Sequence, residues 1–530
     1  MNFDYLEYPY SSKRTCLFAK NGVVATSEPL AAQAGLDILK KGGNAIDAAI
    51  ATAAALTVVE PTSNGIGSDN FAIIWYNGKL YGMNSSGYSP KKLSIKELHK
   101  RGINEIKPHS WEAVTVPGTP AGWNLIWKNF GKLEFNILFE PAIKYANEGY
   151  PVSPTVSFYW NRANKIYKQK LKGEIFKYWF ETFGYDAPKP GQIVKLPFHA
   201  KTFELIANSN SKEFYYGSLT DKIVKFSKKY NGYFDYEDFE DFKNNLVEPI
   251  KTNYNGYDIW ELPPNVQGII TLMALNIFKN LNYSNEYEFY HNSIEALKLA
   301  FIDGKEYITD ISKMNIKIEE MLSEKYAKQR SNLISSIAID PKPGEIPMSN
   351  TVYLATADKW GNMVSFIQSN YMGFGSGIVV PETGIALQNR GHSFSLDEKH
   401  INFLEPRKKP YHTIIPGFIT KGAMPIGPFG VMGGFMQPQG HLQVVLNMID
   451  KNLNPQAALD APRWQWIEGK KILVEKDFPS HIAEKLERHG HNINVLLNPG
   501  PFGRGQIIIK EKDVYVAGTE KRADGYIAVY

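Results

Sequence analysis

The stretch that decides the fold runs from Ile346 to Ser365 and reads IPMSNTVYLATADKWGNMVS. From Thr351 to Asp358 the residues alternate as in a β-strand, and the alternation resumes at Met363. The four residues between these runs, 359–362, predict a tight turn, so the two strands form a hairpin. The residues before Thr351 form a proline-rich loop over 341–350, which is the best internal boundary of the chain.

Composition narrows the class of protein. The chain has 530 residues, of which 43% are hydrophobic and 21% are charged, as in an ordinary globular protein. A net charge of +5 is small for this length, and the basic residues form no stripe with interleaved aromatics, so we expect no nucleic-acid partner. The run Ala45–Val59 is too short and too polar to span a bilayer, and the first residues lack the apolar core of a signal peptide. We therefore expect a cytoplasmic protein without a membrane partner.

Metal-ligating residues are sparse in the sequence. The single cysteine, Cys16, excludes an internal disulfide and cysteine-rich zinc sites, and it has no catalytic context. His412 and His441 lack acidic or histidine neighbours at ligand spacing, and His489 and His491 are expected in a surface turn. The sequence therefore predicts no metal and no cofactor.

Two helices are predicted near the start of the chain. Ser27 is the expected N-cap of the first, with Pro29 near its first position and the Gly42-Gly43 pair after its end. Asn44 begins an alanine-rich second helix that ends near Val59. Small residues allow the two helices to pack closely as a layer over a sheet.

Beyond these helices the predicted secondary structure changes twice along the chain. Strands at Phe71–Trp75 and Lys79–Met83 flank an Asn-Gly turn, which is a strong hairpin signal. Residues 91–330 have mainly helical periodicity, whereas short strands and glycine-rich turns dominate from Thr351 onward. One amphipathic helix is predicted near Gly440–Asp450.

Thr351 could carry chemistry. A threonine hydroxyl is a weak nucleophile, and one recurrent solution places it at a chain terminus, where its own α-amine is the general base. The unperturbed pKa of an α-amine is about 7.7–8.0, close to a neutral working pH. Thr351 gains such an amine only if the Asn350–Thr351 bond is cut, which its hydroxyl can do by attacking the preceding carbonyl. By propensity alone, Thr351 is a β-branched residue that begins a strand.

Seven segments distributed along the chain decide between these interpretations. They are PLAAQAGLDILKKGGNAIDAAIATAAALTVVEPTSNGIG from residue 29, AVTVPGTPAGW from 113, PPNVQGI from 263, HNSIEALKLAFID from 291, TVYLATADKWGNMVS from 351, GFGSGIVVPETGI from 373 and VMGGFMQPQG from 431. In this order they resemble the γ-glutamyltransferase family of N-terminal-nucleophile hydrolases.

The resemblance implies a fold and a processing event. The fold is of the α+β class, an αββα four-layer sandwich with Thr351 at the start of a central strand. Cleavage between Asn350 and Thr351 gives a large subunit, residues 1–350, and a small subunit, residues 351–530. The two subunits form a heterodimer, and the sequence leaves open whether it associates further.

The resemblance also implies catalytic roles. Thr351 is the nucleophile, and Ser369 falls where the family has a second hydroxyl that hydrogen-bonds it. Gly433 and Gly434 fall on the pair whose backbone N–H groups form the oxyanion hole, a role that suits residues without a side chain. A tight turn is the alternative interpretation of this glycine pair.

The expected substrate-binding residues depart from the family pattern. An arginine and a glutamate of the family correspond to Ser86 and Gly87, and Tyr88 stands where a divergent branch has a basic residue. In LQNRGHSF, Arg390 and Ser393 occupy the places of the family's Gln/Glu and Asp. Other positions with a predicted substrate contact are Tyr371, which replaces an asparagine, and His412 and Thr413, which replace a serine pair in the lid region.

These departures agree with one another chemically. The acidic groups that would meet an α-ammonium are absent, and Arg390 adds a cation that suits a carboxylate. We therefore predict a small substrate with a carboxylate and an amide but no recognised α-amine, as in the branch that contains oxamate amidohydrolases and is related to glutaryl-type cephalosporin acylases. The alternatives are a structural salt bridge for Arg390 and a structural role for His412. Asp69 replaces a family glycine and either approaches the site or caps a turn.

The predicted function is an autoprocessed amidohydrolase that acts through an acyl-enzyme on Thr351, with hydrolysis favoured over transfer. A true γ-glutamyltransferase or glutathione hydrolase with rearranged substrate contacts is the first alternative. An unprocessed, inactive binding protein of the same fold is the second, and the retained Thr351, Ser369 and glycine pair argue against it.

Overall fold

The computed structural model describes residues 13–341 and 350–530. The α-helices in these residues are α1 Pro29–Lys40, α2 Ala45–Val59, α3 Ile95–Lys100, α4 Thr119–Phe130, α5 Glu140–Glu148, α6 Pro154–Lys170, α7 Lys177–Phe183, α8 Pro197–Asn208, α9 Lys212–Tyr216, α10 Ser218–Lys229, α11 Tyr236–Glu240, α12 Gly268–Phe278, α13 Glu286–Tyr307, α14 Ile318–Met321, α15 Glu324–Ser331, α16 Met436–Ile449, α17 Pro455–Asp460 and α18 Ser480–Arg488.

The strands of the described residues are β1 Leu17–Ala19, β2 Gly22–Thr26, β3 Asp69–Tyr76, β4 Lys79–Ser85, β5 Tyr150–Pro151, β6 Ile193–Val194, β7 Asn245–Val247, β8 Ile250–Tyr254, β9 Tyr257–Glu261, β10 Asn350–Asp358, β11 Met363–Tyr371, β12 Gly417–Lys421, β13 Met424–Met432, β14 Trp464–Glu468, β15 Lys471–Glu475, β16 Asn492–Leu496, β17 Arg504–Glu511, β18 Val514–Thr519 and β19 Tyr526–Val529.

Two large sheets organise this part of the chain. The first, in the order β19-β2-β10-β11-β3-β4-β7, places β10 between β2 and β11. The second has the order β1-β18-β17-β13-β12-β9-β8. Both are antiparallel at every pairing between their central strands. Two small sheets, β14-β15-β16 and β5-β6, lie outside them.

Alternation along β10 shows how the layers stack. Tyr353 and Ala355 belong to a buried cluster that also contains Phe418 of the second sheet, so these side chains lie between the sheets. Val352 and Leu354 point the other way, into a cluster with the helices before residue 250. The outer face of the second sheet packs in the same manner on α12, α13 and α16. The predicted αββα sandwich is therefore confirmed, with β10 in its interior.

The predicted local elements are largely present. The hairpin of β3 and β4 turns at Asn77 and Gly78, whose φ angles are 47° and 80°, as a tight hairpin turn requires. The hairpin of β10 and β11 begins and ends where the alternation predicts. Asn44 caps α2 with a reciprocal hydrogen bond from Asp47, and α2 ends at Val59.

The predicted cap of α1 was wrong. Glu28, not Ser27, is the N-cap, and its side chain accepts a hydrogen bond from the Leu30 N–H at 2.7 Å. The hydroxyl of Ser27 donates instead to Glu60, at the far end of α2. Serine is the better N-cap by type, but the hydroxyl of Ser27 is engaged by Glu60, and Glu28 caps the helix instead.

Two further expectations need correction. Residues 91–330 are mainly helical but also contain β8 and β9, which complete the edge of the second sheet. The helix predicted near Gly440 is α16, and it is buried on every side from Met436 to Asn447 rather than amphipathic, because α12 and the small sheet cover its outer face. α17 and α18 were not predicted.

Among the described residues, no helix is long and apolar enough to cross a membrane.

A buried ionic network fixes the end of the chain against the second sheet. Glu520 accepts hydrogen bonds from Arg463 at 2.8 Å, from Arg522 at 2.6 Å and from the Gly505 N–H at 2.9 Å. Burial alone would raise the pKa of Glu520, but the two guanidinium groups outweigh burial and lower that pKa to about 2.

We expect Glu520→Gln to lower the free energy of unfolding by about 3–5 kcal/mol at pH 7, because it leaves the buried Arg463 guanidinium without its ion-pair partner and Arg522 with Glu475 alone. Since the folded pKa lies below the unfolded value of 4.5, the stabilisation is complete above about pH 4.5 and is lost as the pH falls toward 2. Chemical denaturation at several pH values measures this. Glu237→Gln, in an exposed pair with Lys91, is the control and should change stability by less than about 1 kcal/mol. An equal effect of the two substitutions would contradict the prediction.

Candidate active site

Thr351 lies at the beginning of β10, with its side chain fully buried. Its Oγ1 donates a hydrogen bond to Ser369 Oγ at 3.2 Å, so the predicted pair of hydroxyls is brought together. The strand register shifts between Asn350 and Val352, and such a bulge re-aims the side chain it carries. Ser369 Oγ also accepts the Tyr371 N–H at 2.8 Å.

Arg390 lies over the ring of Tyr371, with its guanidinium carbon 4.1 Å from the ring centroid. Only 1% of Arg390 is exposed, and Nη1 donates to Thr413 Oγ1 at 2.7 Å. Its Nε and Nη2 find no hydrogen-bond partner among the described residues. Burial lowers the pKa of Arg390 to about 10, so the group stays cationic at neutral pH. An anion bound here would accept hydrogen bonds from these two nitrogens and neutralise the buried charge.

Tyr371 holds this arrangement at the end of β11. Its φ of 78° is unusual for a residue with a side chain, and it turns the backbone away from the strand. The turn places the Tyr371 ring under Arg390 while the backbone N–H of the same residue bonds Ser369. One residue therefore links the predicted nucleophile pair to the predicted substrate cation.

Asp69 stands directly opposite Ser369 in the ladder between β3 and β11. Its Oδ1 accepts the N–H groups of Gly87 and Gly118, each at 3.1 Å, and its Oδ2 lies 3.2 Å from His412 Nε2. Burial raises the pKa of Asp69 to about 7, although the charge of Arg390 opposes that rise. Both possibilities left open by the sequence apply, because Asp69 holds a loop and also lies in the site.

His412 is a neutral hydrogen-bond donor in this geometry. Its Nδ1 accepts the Ile414 N–H at 3.4 Å, which assigns the ring proton to Nε2 and directs it to Asp69. Burial, and then the charges of Arg390 and Lys409, hold the pKa of His412 well below its usual range. His412 therefore contacts the carboxylate of Asp69 without adding a positive charge.

These contacts form a ring beside the predicted nucleophile. Its members, in order, are Ser369, Tyr371, Arg390, Thr413, His412 and Asp69, and Thr351 is bonded to it through Ser369. The ring and Thr351 bring together a buried hydroxyl, a buried cation with two unpaired nitrogens and a buried carboxylate. Such a set suits acyl transfer on a small anionic substrate.

Gly433 and Gly434 form the turn between β13 and α16, so the turn and the oxyanion-hole interpretations are compatible. Their φ angles of 137° and 60° favour glycine at both positions. The Gly433 carbonyl accepts the Met436 N–H at 3.0 Å, on the side of the helix. In a trans peptide the Gly434 N–H points the opposite way, away from α16, and is thus free to meet an oxyanion.

Known proteins resemble this chain over nearly its whole length. Residues 31–530 match the family model described as gamma-glutamyltranspeptidase. The chain belongs to the γ-glutamyltranspeptidase family. It is 35% identical to the glutathione hydrolase-like YwrD proenzyme of Bacillus subtilis (strain 168), with 95% of this chain and 97% of that protein aligned. It is 29% identical to the oxamate amidohydrolase proenzyme of Klebsiella pneumoniae, with 96% and 98% aligned.

A solved structure shares the fold of this chain. The crystal structure of a cephalosporin acylase from Bacillus halodurans superposes with a TM-score of 0.97 at 54% identity, covering 100% of this chain and 99% of that one. This member of the γ-glutamyltranspeptidase family is therefore an enzyme with the N-terminal-nucleophile hydrolase fold.

Other positions at which this γ-glutamyltranspeptidase-family chain departs from the family pattern have structural partners. The Ser393 hydroxyl donates to the carbonyls of Arg390 at 2.9 Å and Tyr411 at 3.0 Å, so it supports the backbone on both sides of the cation. Ser86 bonds Asn84, at 2.7 Å. The Tyr88 hydroxyl donates to the Asp238 carbonyl at 3.0 Å, away from the ring of contacts.

Gln267 is a site residue that sequence reasoning missed. Its side-chain amide donates to the carbonyls of Thr413 at 2.5 Å and Gly434 at 2.8 Å, and its oxygen accepts the Tyr411 hydroxyl at 2.9 Å. It therefore ties the glycine turn to the segment that carries His412. The only signal in the sequence is its place in PPNVQGI, one of the segments that carry the family resemblance.

Two histidines outside the ring correct the sequence analysis. His491 is buried rather than exposed, and its Nε2 lies 2.9 Å from His291 Nδ1 and 3.7 Å from Glu295. The three residues could hold a metal ion by proximity, but the ammonium of Lys298 already contacts Glu295 at 2.6 Å. His441 lies 2.7 Å from Glu261, also buried. Each of these groups has at least one hydrogen-bond or ion-pair partner among the described residues.

Proposed function

We propose that this enzyme cleaves its own chain between Asn350 and Thr351 and then hydrolyses the amide bond of a small substrate whose acyl part carries a carboxylate. The large subunit would be residues 1–350 and the small subunit residues 351–530. The observation that carries the substrate class is Arg390, which is buried, cationic and short of partners at two nitrogens.

The alternative of a structural salt bridge for Arg390 lacks support in the geometry. Its direct contacts are the Thr413 hydroxyl and the Tyr371 ring, both uncharged. Asp69 acts on it electrostatically, and the carboxylate of Asp69 bonds His412 and two backbone N–H groups. Leaving a guanidinium buried with free donors costs stability, and a substrate carboxylate removes that cost.

The proposed reaction has two halves. Thr351 Oγ1 attacks the amide carbonyl while the released Thr351 amine takes the hydroxyl proton and passes it to the leaving amine. The N–H groups of the glycine turn stabilise the oxyanion, and Ser369 orients the nucleophile. Water then attacks the ester on Thr351, which releases the acid and restores the hydroxyl.

The relatives support two substrate classes. The names of the relatives contain oxamate amidohydrolase and cephalosporin acylase, which favour hydrolysis of carboxylate-bearing amides. A glutathione hydrolase-like relative favours a γ-glutamyl substrate. One observation favours the γ-glutamyl candidate. The carboxylate of Asp69 lies in the ring of contacts and could pair with the α-ammonium of such a substrate. Its three existing hydrogen bonds make it a poor ammonium site, so we place this candidate second.

A panel of amides tests the proposed substrate class. We expect the processed enzyme to release p-nitroaniline from glutaryl-p-nitroanilide at least about tenfold more efficiently than from γ-glutamyl-p-nitroanilide, because the ammonium of the second lies near Arg390 without a free counter-charge. Oxamate, assayed by ammonia release, tests the smallest acyl group. Turnover of the γ-glutamyl compound alone would reject the carboxylate assignment and favour the glutathione hydrolase candidate.

A further inference from the structure

The carboxylate of Asp69 lies in the same ring of contacts as Arg390, and the two groups act on each other electrostatically. It is fixed from three directions by Gly87, Gly118 and His412. Ser369, its partner in the strand ladder, is the residue that holds Thr351 Oγ1. Residues directly opposite in an antiparallel ladder have Cα atoms about 4.5–5.5 Å apart. Asp69 therefore places a carboxyl group beside the residue that holds the predicted nucleophile.

We propose that Asp69 makes the site discriminate between the amide substrate and its acid product, by repelling the carboxylate that hydrolysis creates beside Thr351. The inference rests on the proposed function, because it needs a substrate carboxylate at Arg390. Asp69 would act as a specificity residue for product release, and the glycine that the family resemblance implies at this position has no such charge.

The charges of the reaction explain why discrimination is needed. In the second half of the reaction, the water oxygen bonds the acyl carbon, the bond from that carbon to Thr351 Oγ1 breaks, and one water proton goes to Thr351. The acid formed loses its remaining acidic proton near neutral pH. A substrate with one negative charge thus becomes a product with two. Arg390 pairs with the first, and the second faces Asp69.

The other charged groups around Asp69 leave its repulsion in place. His412 is neutral, because burial and then the charges of Arg390 and Lys409 hold its pKa well below the usual range. Lys409 is shared with Asn84 and with the charge of Asp310. Tyr215 of α9 and Tyr371 of β11 stay protonated, because burial raises the pKa of each hydroxyl. The Thr351 amine, once released, is the remaining titratable neighbour, and its neutral form is the one that catalyses.

Competitive inhibition of the processed enzyme tests the proposal without turnover of the ligand. Glutarate has the two charges of the product, and 5-oxohexanoate has nearly the same shape with one charge. The pKa of Asp69 is about 7, so its repulsion grows from pH 6 to pH 9. We expect the ratio of the inhibition constants, glutarate over 5-oxohexanoate, to rise about tenfold over this range in the wild-type enzyme.

Matched variants separate the charge of Asp69 from other titrations. Asp69→Asn keeps the shape and should hold the ratio constant within about twofold, whereas Asp310→Asn, which removes a carboxylate on the other side of Lys409, should retain the pH-dependent rise. A ratio independent of pH in the wild-type enzyme, or a rise that persists in Asp69→Asn, would overturn the proposal.

If Asp69→Asn fails to fold, the wild-type profile still tests the proposal, because a ratio independent of pH between pH 6 and pH 9 would overturn it. Failure of the proposed function gives a different result. Either neither inhibitor binds the wild-type enzyme, or both bind Arg390→Met as tightly as they bind the wild-type enzyme. In that case the discrimination assigned to Asp69 is rejected together with the carboxylate site.

Discussion

Thr351→Ala is expected to remain one chain of 530 residues under denaturing conditions, whereas the wild-type protein gives two fragments. The physical reason is that the hydroxyl proposed to attack the Asn350 carbonyl is the one that hydrogen-bonds Ser369. Its removal deletes both self-cleavage and the later nucleophile, so amidase activity should also fall below detection. Gel electrophoresis and mass spectrometry of the intact protein measure the cleavage.

The conservative variant controls for folding. Thr351→Ser keeps an oxygen at the same position and should still be cleaved, more slowly, because serine loses the methyl group that restricts χ1. N-terminal sequencing of the small fragment should read TVYLATAD in the wild-type protein. Cleavage of Thr351→Ala at the same bond would assign the attack to another group. An intact wild-type chain after long incubation would support the alternative of an inactive binding protein.

The alternation of residues in the local sequence was sufficient to predict the two strands of the hairpin that begins at Thr351. The side-chain period of a strand is two residues, so the alternation on both sides of residues 359–362 was enough to define β10 and β11. The same alternation places Tyr353 and Ala355 between the sheets, whereas Thr351 lies at the register shift between Asn350 and Val352, which alternation does not predict. The capping box of Asn44 is equally local, since its partners lie within three residues.

Long-range partners account for what the sequence could not provide. Ser27 is a sound cap by type, but Glu60 engages its hydroxyl 33 residues later. β9 joins the second sheet through β12, and no local pattern contains that pairing. His412 reaches Asp69 across 343 residues, so its neutral state and the role of Asp69 emerge only from the fold.

For the site residues, the structure shows the predicted proximity but does not test the predicted roles. Thr351, Ser369, Tyr371, Arg390, Thr413 and His412 came from a family resemblance, and the structure brings their side chains into one ring. Their roles in catalysis and binding stay predictions, as do the subunit boundaries and the cytoplasmic location. The linker over 342–349, which the cleavage proposal involves, lies outside the described residues.

Arg390→Met is expected to lower kcat/KM for glutaryl-p-nitroanilide by about 10²- to 10³-fold. Breaking a buried, hydrogen-bonded charge pair costs about 2–5 kcal/mol, and every 1.4 kcal/mol is a factor of ten. Methionine fills most of the space of the arginine stem and leaves no buried charge unpaired, so the fold should tolerate it. Circular dichroism and the extent of self-cleavage report on folding independently of substrate binding.

The substrate without a charge provides the discriminating measurement. Butyryl-p-nitroanilide lacks the carboxylate, so its kcat/KM should be unchanged or higher in Arg390→Met, and the preference between the two anilides should invert. Arg390→Lys keeps the charge but loses the planar fork, and it should recover only part of the glutaryl activity. The control is Arg101→Met, because Arg101 also lies over a tyrosine ring, at 4.3 Å from Tyr233, but at the surface. A parallel loss for both anilides in Arg390→Met would show that Arg390 supports the site rather than the substrate carboxylate.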